Sequence, residues 1–346
     1  MKRISTLLLA LLLSSNVMAR DSFKVCWSIY VGWMPWAYAA EQGIVKKWAD
    51  KYDIDIEVVQ INDYIESINQ YSSGGFDACT MTNMDALTIP AAGGVDSTAL
   101  VVGDFSNGND ALVLKNSDSL EAVKGQPVNL VELSVSHYLL VRGLDTVGLK
   151  ESDITVINTA DADMVAVYGT DEVQAVATWN PLLSEIKRQP DSHIVFDSSQ
   201  IPGEIIDLLI VNTQTLEKHP ALGKALTGAW YETMALMSGT GDAATAARQM
   251  MARTSGTDLA GYDSQLAHTQ MFFQPDQALS LTNSSELLTT MGRVAEFSFA
   301  HGLLGEGARD ATEVGIEMPA GIYGNPGNIK LRFNPHFTRL AAQGAL

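Results

Sequence analysis

Cysteine is nearly missing from this chain: Cys26 and Cys79 are the only two in 346 residues. Two thiols exclude a disulfide-built scaffold and a cysteine metal cluster. They leave open a single bridge or a pair of small buried thiols in neighbouring strands. Positive charge is scarce as well. Lys and Arg number 22 against 40 Asp and Glu, a formal net charge of −18, which argues against nucleic acid and anionic lipid surfaces as partners. The 6 histidines are scattered without a ligand-like pair, so neither a metal site nor a cofactor is expected. Beyond the opening residues no apolar run approaches the ~20 residues that cross a bilayer. Repeats, low-complexity runs and flexible linkers are absent. GNPGN, from Gly324, has no phosphate-loop context. Ser134 and Ser136 lie near His137 but inside no nucleophile elbow, so the protein is not expected to be an enzyme.

What is present begins with MKRISTLLLALLLSSNVMA. A charged start at Lys2 and Arg3, a Leu-rich stretch over residues 7–13 and the small residues Val17 and Ala19 read as a secretory signal cut after Ala19. The expectation is export to the periplasm, with a mature chain that is not membrane-embedded. Removing nineteen residues from 346 leaves 327, with 20 basic and 40 acidic residues and a charge of −20. At ~100–200 residues per domain this is length for two domains.

The patterning points to α/β structure. Phe23, Val25, Trp27 and Ile29 alternate as a strand, and a helical stretch is read over residues 36–52. IDIEVVQI, FDACTMT and STALVVGDF follow as strands, with a helix over residues 64–72 ended by Gly74 and Gly75. The pattern restarts after Lys124 and Gly125, with strands at VNLVEL, DITVINT, VQAVATW, HIVFD and IIDLLIVN. Strands separated by helices predict parallel, doubly wound sheets. Beyond Thr213 the chain reads as mostly helical, and its last thirty residues as irregular. The expected organisation is two lobes: residues 20–112 and 206–346 in lobe one with the C-terminal helices, and 113–205 in lobe two. Two crossings form a hinge, and a ligand lies between the lobes.

In such sheets ligands meet loops at the carboxyl ends of strands. That rule selects residues 30–36, 80–85, 104–110, 132–138, 178–181 and 202–207.

These segments also carry a resemblance. CWSIYVGWMPWAYAAEQGIV, FDACTMTNMDAL, VKGQPVNLVELSVSHYLLVRGLDTVGL and VQAVATWNPLLSE resemble, in order, segments of the nitrate-, sulfonate- and taurine-type periplasmic solute-binding proteins of ABC transporters. CWSIYVGWMPWAY, CTMTNMDALTIPAAGGVDSTALVVGDFSNGNDALVLK and FDSSQIPGEIIDLLIVN are similar to the branch associated with urea carboxylase, whose carboxylases act on guanidine. The resemblance implies a type II periplasmic-binding-protein fold, a monomer, ABC permease subunits as partners, and urea or guanidinium as cargo. It does not choose between the two.

The residues favour the cation. None of the six segments contains Lys or Arg, so an anion would find no guanidinium fork there. They do contain Asp85, Asp104, Asp110, Glu132, Glu204 and Asp207, with Tyr30, Trp33, Trp36, Tyr138 and Trp179. Guanidinium is a planar cation that takes carboxylates in its plane and an aromatic ring on its face. The candidate ligand-binding residues are Trp33, Asp85, Glu132, Trp179, Asp207 and Tyr30, with Asn83, Ser134 and His137 as donors for a urea oxygen. Asp104 and Asp110 are read as hinge or cap residues, and Asp85 also suits a helix cap. The alternatives are another small amine, amide or pyrimidine, or taurine, a sulfonate or nitrate, and an enzyme on the same fold such as a thiamine-pyrimidine synthase. That enzyme type uses a cysteine-rich segment and histidine-bound iron, which this chain lacks.

Overall fold

The computed structural model describes residues 20–346; the expected signal segment, residues 1–19, lies outside the described residues. Fourteen strands occur in chain order: β1 (Asp21–Trp27), β2 (Ile54–Gln60), β3 (Ala78–Thr82), β4 (Ser97–Ser106), β5 (Asp110–Lys115), β6 (Pro127–Leu130) and β7 (Thr155–Asn158) come first. β8 (Ala175–Trp179), β9 (Ser192–Asp197), β10 (Ile206–Asn212), β11 (Thr269–Met271), β12 (Gly315–Met318), β13 (Gly321–Tyr323) and β14 (Ile329–Phe333) complete them. They build two sheets, ordered β13-β12-β14-β4-β10-β3-β1-β2, with β11 paired on β4, and β7-β6-β8-β5-β9. The α/β, two-lobed fold class expected from the sequence is what the chain adopts.

Both sheets are mixed rather than parallel. β1, β2 and β3 run parallel, but β10 is antiparallel to β3 and β4, and β5 is antiparallel to β8 and β9. The reason is the hinge. β4 carries the chain toward the second sheet and β10 brings it back, so the two must run in opposite directions. The crossings lie side by side: Ser198 Oγ accepts from the Gly108 amide at 2.7 Å and is 2.7 Å from Ser106 Oγ. Gly108 has φ +115°, and a Cβ there would stand 2.8 Å from the His268 ring, so only glycine fits.

β4 and β10 are buried along nearly their whole length, as strands with both faces covered must be. Cys26 and Cys79 are register partners on β1 and β3 and are joined in a disulfide. The single helix expected over residues 36–52 is two, Met34–Glu41 and Ile44–Lys51, because Gly43 turns into the left-handed region at φ +73°. The last thirty residues are not irregular. β12, β13 and β14 extend the first sheet, and the helix His336–Ala342 packs after them. Their strands are three to five residues long between glycines and prolines, which hid their alternation. Among the described residues no helix is long and apolar enough to cross a membrane.

Candidate functional site

Between the two sheets the chain encloses a cavity of about 30 Å³. A single water needs ~10–15 Å³ by that measure, so the space suits a molecule of a few heavy atoms. Lobe one lines it with Ser28, Ile29, Tyr30 and Trp33 after β1, Asn62 and Tyr64 after β2, Thr82 at the end of β3, and Ile205 and Asp207 at β10. From the second sheet come Asp110, Val135, Asp161 and Trp179.

Aromatic rings form a continuous wall. Tyr30 lies against Trp33 with ring centres 5.1 Å apart, Trp33 stacks on Tyr64 at 5.5 Å, and Tyr64 meets Trp179 edge-on at 6.2 Å. Pro35 starts the helix Met34–Glu41 and so fixes the turn that holds Trp33. Trp36, one turn away, instead stacks on Trp230 in the core. Asp63 caps the helix Tyr64–Ser72 by accepting from the Glu66 amide, which orients Tyr64.

The polar side of the cavity is acidic. Asp207 and Asp110 line it, and Asp104 sits behind as the register partner of Asp207 on β4. Asp85 is one shell back: its Oδ2 accepts from the Tyr64 hydroxyl at 2.5 Å and the Thr82 hydroxyl at 2.7 Å. All four are buried. Burial pushes Asp85 up to about 6 and Asp104 and Asp110 up to about 7, and it holds Asp207 well above the ordinary carboxylate value. No Lys or Arg is among the groups that perturb them. Asp104 has neither oxygen hydrogen-bonded, and Asp207 Oδ2, Asp85 Oδ1, the Tyr30 hydroxyl and Trp33 Nε1 are also unpartnered. Buried polar atoms without partners are rare in folded proteins, and those of Asp104 and Asp207 belong to register partners on adjacent strands.

Of the residues proposed from sequence, Tyr30, Trp33, Trp179 and Asp207 therefore line the cavity, and Asp85 supports it through Tyr64. Asn83 is buried behind it, where its amide donates to the Glu204 carbonyl and accepts from the Ile206 amide, pinning the returning crossing. Glu132, Ser134 and His137 are not brought to the cavity. Glu132 is on an exposed turn, its amide donating to Asn158 Oδ1. Ser134 caps the helix Val135–Thr146, and its hydroxyl donates to the Val131 carbonyl. The loop after β6 leaves Glu132 exposed and buries Ser134 and His137 against other partners, so only Val135 of that segment reaches the cavity.

His137 meets Glu151 and His301 on the far side, their ligand atoms all within 4.8 Å of one another. Sequence spacing gave no hint of this grouping, since the three come from distant segments. A metal held by both Nε2 atoms needs a proton on each Nδ1. His301 meets that condition, with Nδ1 2.9 Å from the Phe297 carbonyl. His137 does not, because its Nδ1 accepts from the Leu133 amide at 3.2 Å. Glu151 bridges the rings instead, 2.6 Å from His301 Nε2 and 3.1 Å from His137 Nε2. Glu204 is likewise held outside the cavity, by Arg142, Arg293 and the Tyr138 hydroxyl.

Tyr64, Asn62 and Asp161 were not singled out from sequence. The strand-end rule would have found them had it been applied after β2 and β7. Asp110 and Asp104 were read as hinge or cap residues; Asp110 lines the cavity at the start of β5, and Asp104 backs Asp207 as its register partner on β4.

A family described as NMT1-like matches residues 27–254. The taurine-binding periplasmic protein of Escherichia coli (strain K12) is 23% identical over 143 residues, covering 40% of this chain and 44% of that protein. The chain spans about half the length of the curated relatives it matches. Among solved structures, the periplasmic aliphatic sulphonate-binding protein of Escherichia coli has a TM-score of 0.69 at 18% identity, covering 85% of this chain and 98% of that one. The periplasmic nitrate-binding protein of Synechocystis PCC 6803 has a TM-score of 0.65 at 14% identity, covering 94% and 89%. These likenesses show the fold.

Proposed function

The chain belongs to the NMT1-like family, and from that premise we propose that it is an exported, periplasmic binding protein that delivers a small planar nitrogen cation, guanidinium ahead of urea, to the permease of an ABC importer. The observation that carries this reading is the cavity wall. Asp207 and Asp110 face a space closed by Tyr30, Trp33, Tyr64 and Trp179, with no Lys or Arg lining it. A buried carboxylate without a cation is costly, and a bound cation removes that cost. Guanidinium would lie with a face on a ring and its N–H groups toward Asp207 and Asp110. The four carboxyl groups do not bring three oxygens within 4.8 Å among the described residues, which suits an organic cation better than a metal ion. Both lobes supply wall residues, so a bound ligand favours the closed state.

A second reading is taurine, the cargo named for the Escherichia coli relative. Its ammonium would find a carboxylate here, but its sulfonate would meet acidic neighbours and no guanidinium fork. Titration calorimetry with guanidinium, urea, methylguanidine, taurine and nitrate separates the readings. Guanidinium is expected to bind most tightly; tighter binding of taurine or nitrate overturns the proposal.

A further inference from the structure

Asp104 and Asp207 are directly opposed on antiparallel neighbours, so their carboxyl groups lie on one face of the sheet. Asp104 is fully buried and Asp207 is 3% exposed. Gly32 makes room for the pair, since a Cβ at that position would lie 2.4 Å from Asp104 Oδ2. The titratable groups facing them are Tyr30 from the turn after β1, Asp110 from β5, and Tyr262 from the helix Leu259–Leu266. Tyr262 donates to the Val31 carbonyl and so gives the pair nothing. Arg248, a charged neighbour of Tyr262, is bonded to Asp263. Asp85 is near Asp110 but is occupied by Tyr64 and Thr82. Two buried carboxyl groups side by side, with no cation among these neighbours, cannot both be ionised.

We infer that Asp104 and Asp207 hold one proton between them in the unliganded site, and that capture of a cation at Asp207 and Asp110 expels it, making ligand uptake a one-for-one exchange of cation for proton. The inference rests on the cation reading above. In the exchange an O–H bond of the pair breaks, the proton passes to water, and the electron pair left on the carboxylate faces the ligand's N–H groups. The charge of the buried site is unchanged, so the low-dielectric interior never holds the pair as an uncompensated dianion. Burial, then the repulsion between the two groups and from Asp110, favours the protonated state. Asp104 does not line the cavity; it is a positioning residue that acts through Asp207.

Exchange has signatures that simple ion pairing lacks. Affinity for guanidinium rises by up to about tenfold per pH unit while the pair holds its proton, and levels off once it is ionised. Urea, which is neutral, has no such slope. The test is calorimetric titration of the mature protein with guanidinium chloride at pH 6–7, in two buffers of different ionisation enthalpy. About one proton released per ligand bound is expected. Asp104→Asn removes the repulsion of one carboxylate but leaves burial and Asp110, so release should fall below the wild-type value and the pH slope should become shallower. A binding enthalpy independent of buffer in the wild type, with guanidinium still bound, overturns the exchange and leaves the cation reading standing. Unchanged release in a folded Asp104→Asn variant overturns the assignment to this pair. Failure of guanidinium to bind the wild type removes the cation reading, and the exchange with it.

Discussion

At the residue scale, six carboxylates legible in the sequence separate into distinct roles once neighbours are known. Asp207 and Asp110 face the cavity, Asp104 backs Asp207, Asp85 holds Tyr64, Glu204 is neutralised by arginines, and Glu132 is exposed. Hydrogen bonds to charged groups are worth roughly 1.5–3 kcal/mol. Asp207→Asn should therefore weaken guanidinium by about tenfold to a hundredfold and urea much less, by the usual conversion of free energy to affinity. Glu132→Gln should leave both affinities unchanged. Titrating the two variants with both ligands checks this, and equal losses for urea and guanidinium in Asp207→Asn would count against charge pairing. Asp85→Asn acts indirectly, since it changes the acceptor of the Tyr64 hydroxyl and not the cavity surface.

At the element scale, the helices Val135–Thr146 and Ser285–Ala300 come from opposite lobes and meet through two polar clusters. One is His137, Glu151 and His301, with Phe297 between the rings of His137 and Tyr138. The other centres on Glu204 in the returning crossing, held by Arg142 at 2.9 Å and Arg293 at 3.1 Å. Burial pushes Glu204 up, but the hydrogen bonds from Arg142 and Tyr138 outweigh it and leave the group below the ordinary value of 4.5. Its contribution is therefore complete above that value and fades as pH falls below it. Glu204→Gln keeps the size and loses the charge. It should lower the unfolding free energy at pH 7 by about 1–3 kcal/mol, read from urea denaturation, with the difference from wild type shrinking in acid. Part of this interaction is solvent-screened, because Arg293 is half exposed.

At the scale of the whole molecule, the cavity carboxyls and the Glu204 cluster depend on pH with opposite signs. The cavity carboxyls have folded values raised above the ordinary 3.8, with Asp85 near 6 and Asp104 and Asp110 near 7. A raised acid stabilises the fold fully below its unfolded value and loses that contribution as pH rises through its folded value. The ligand-free protein should therefore melt at progressively lower temperature between about pH 4 and 7. Each proton lost removes up to about 1.4 kcal/mol per pH unit. Guanidinium should raise the melting temperature most at the alkaline end, where the carboxylates are ionised and seek a cation. Differential scanning calorimetry across that range, with and without guanidinium, checks both trends. A flat ligand-free profile would mean that the cavity carboxyls titrate near their ordinary values.

The sequence alone determined the class of fold and the neighbourhood of the site. Alternation in β1 and apolar runs in β3, β4 and β10 marked the strands, and the strand-end rule led to Tyr30, Trp33, Trp179 and Asp207, because a sheet's geometry turns local position into spatial position. It also carried the absence of Lys and Arg near the cavity, which no later folding could supply from those segments. Which side chains converge was decided by tertiary structure. Asp104 meets Asp207 only because β10 returns antiparallel beside β4, a pairing 103 residues distant in the chain whose register no local pattern encodes. The same holds for Cys26 and Cys79 on β1 and β3, and for His137, Glu151 and His301. In each case the chemistry depends on side chains brought together by long-range packing, while periodicity reports only which face of its own element a residue occupies.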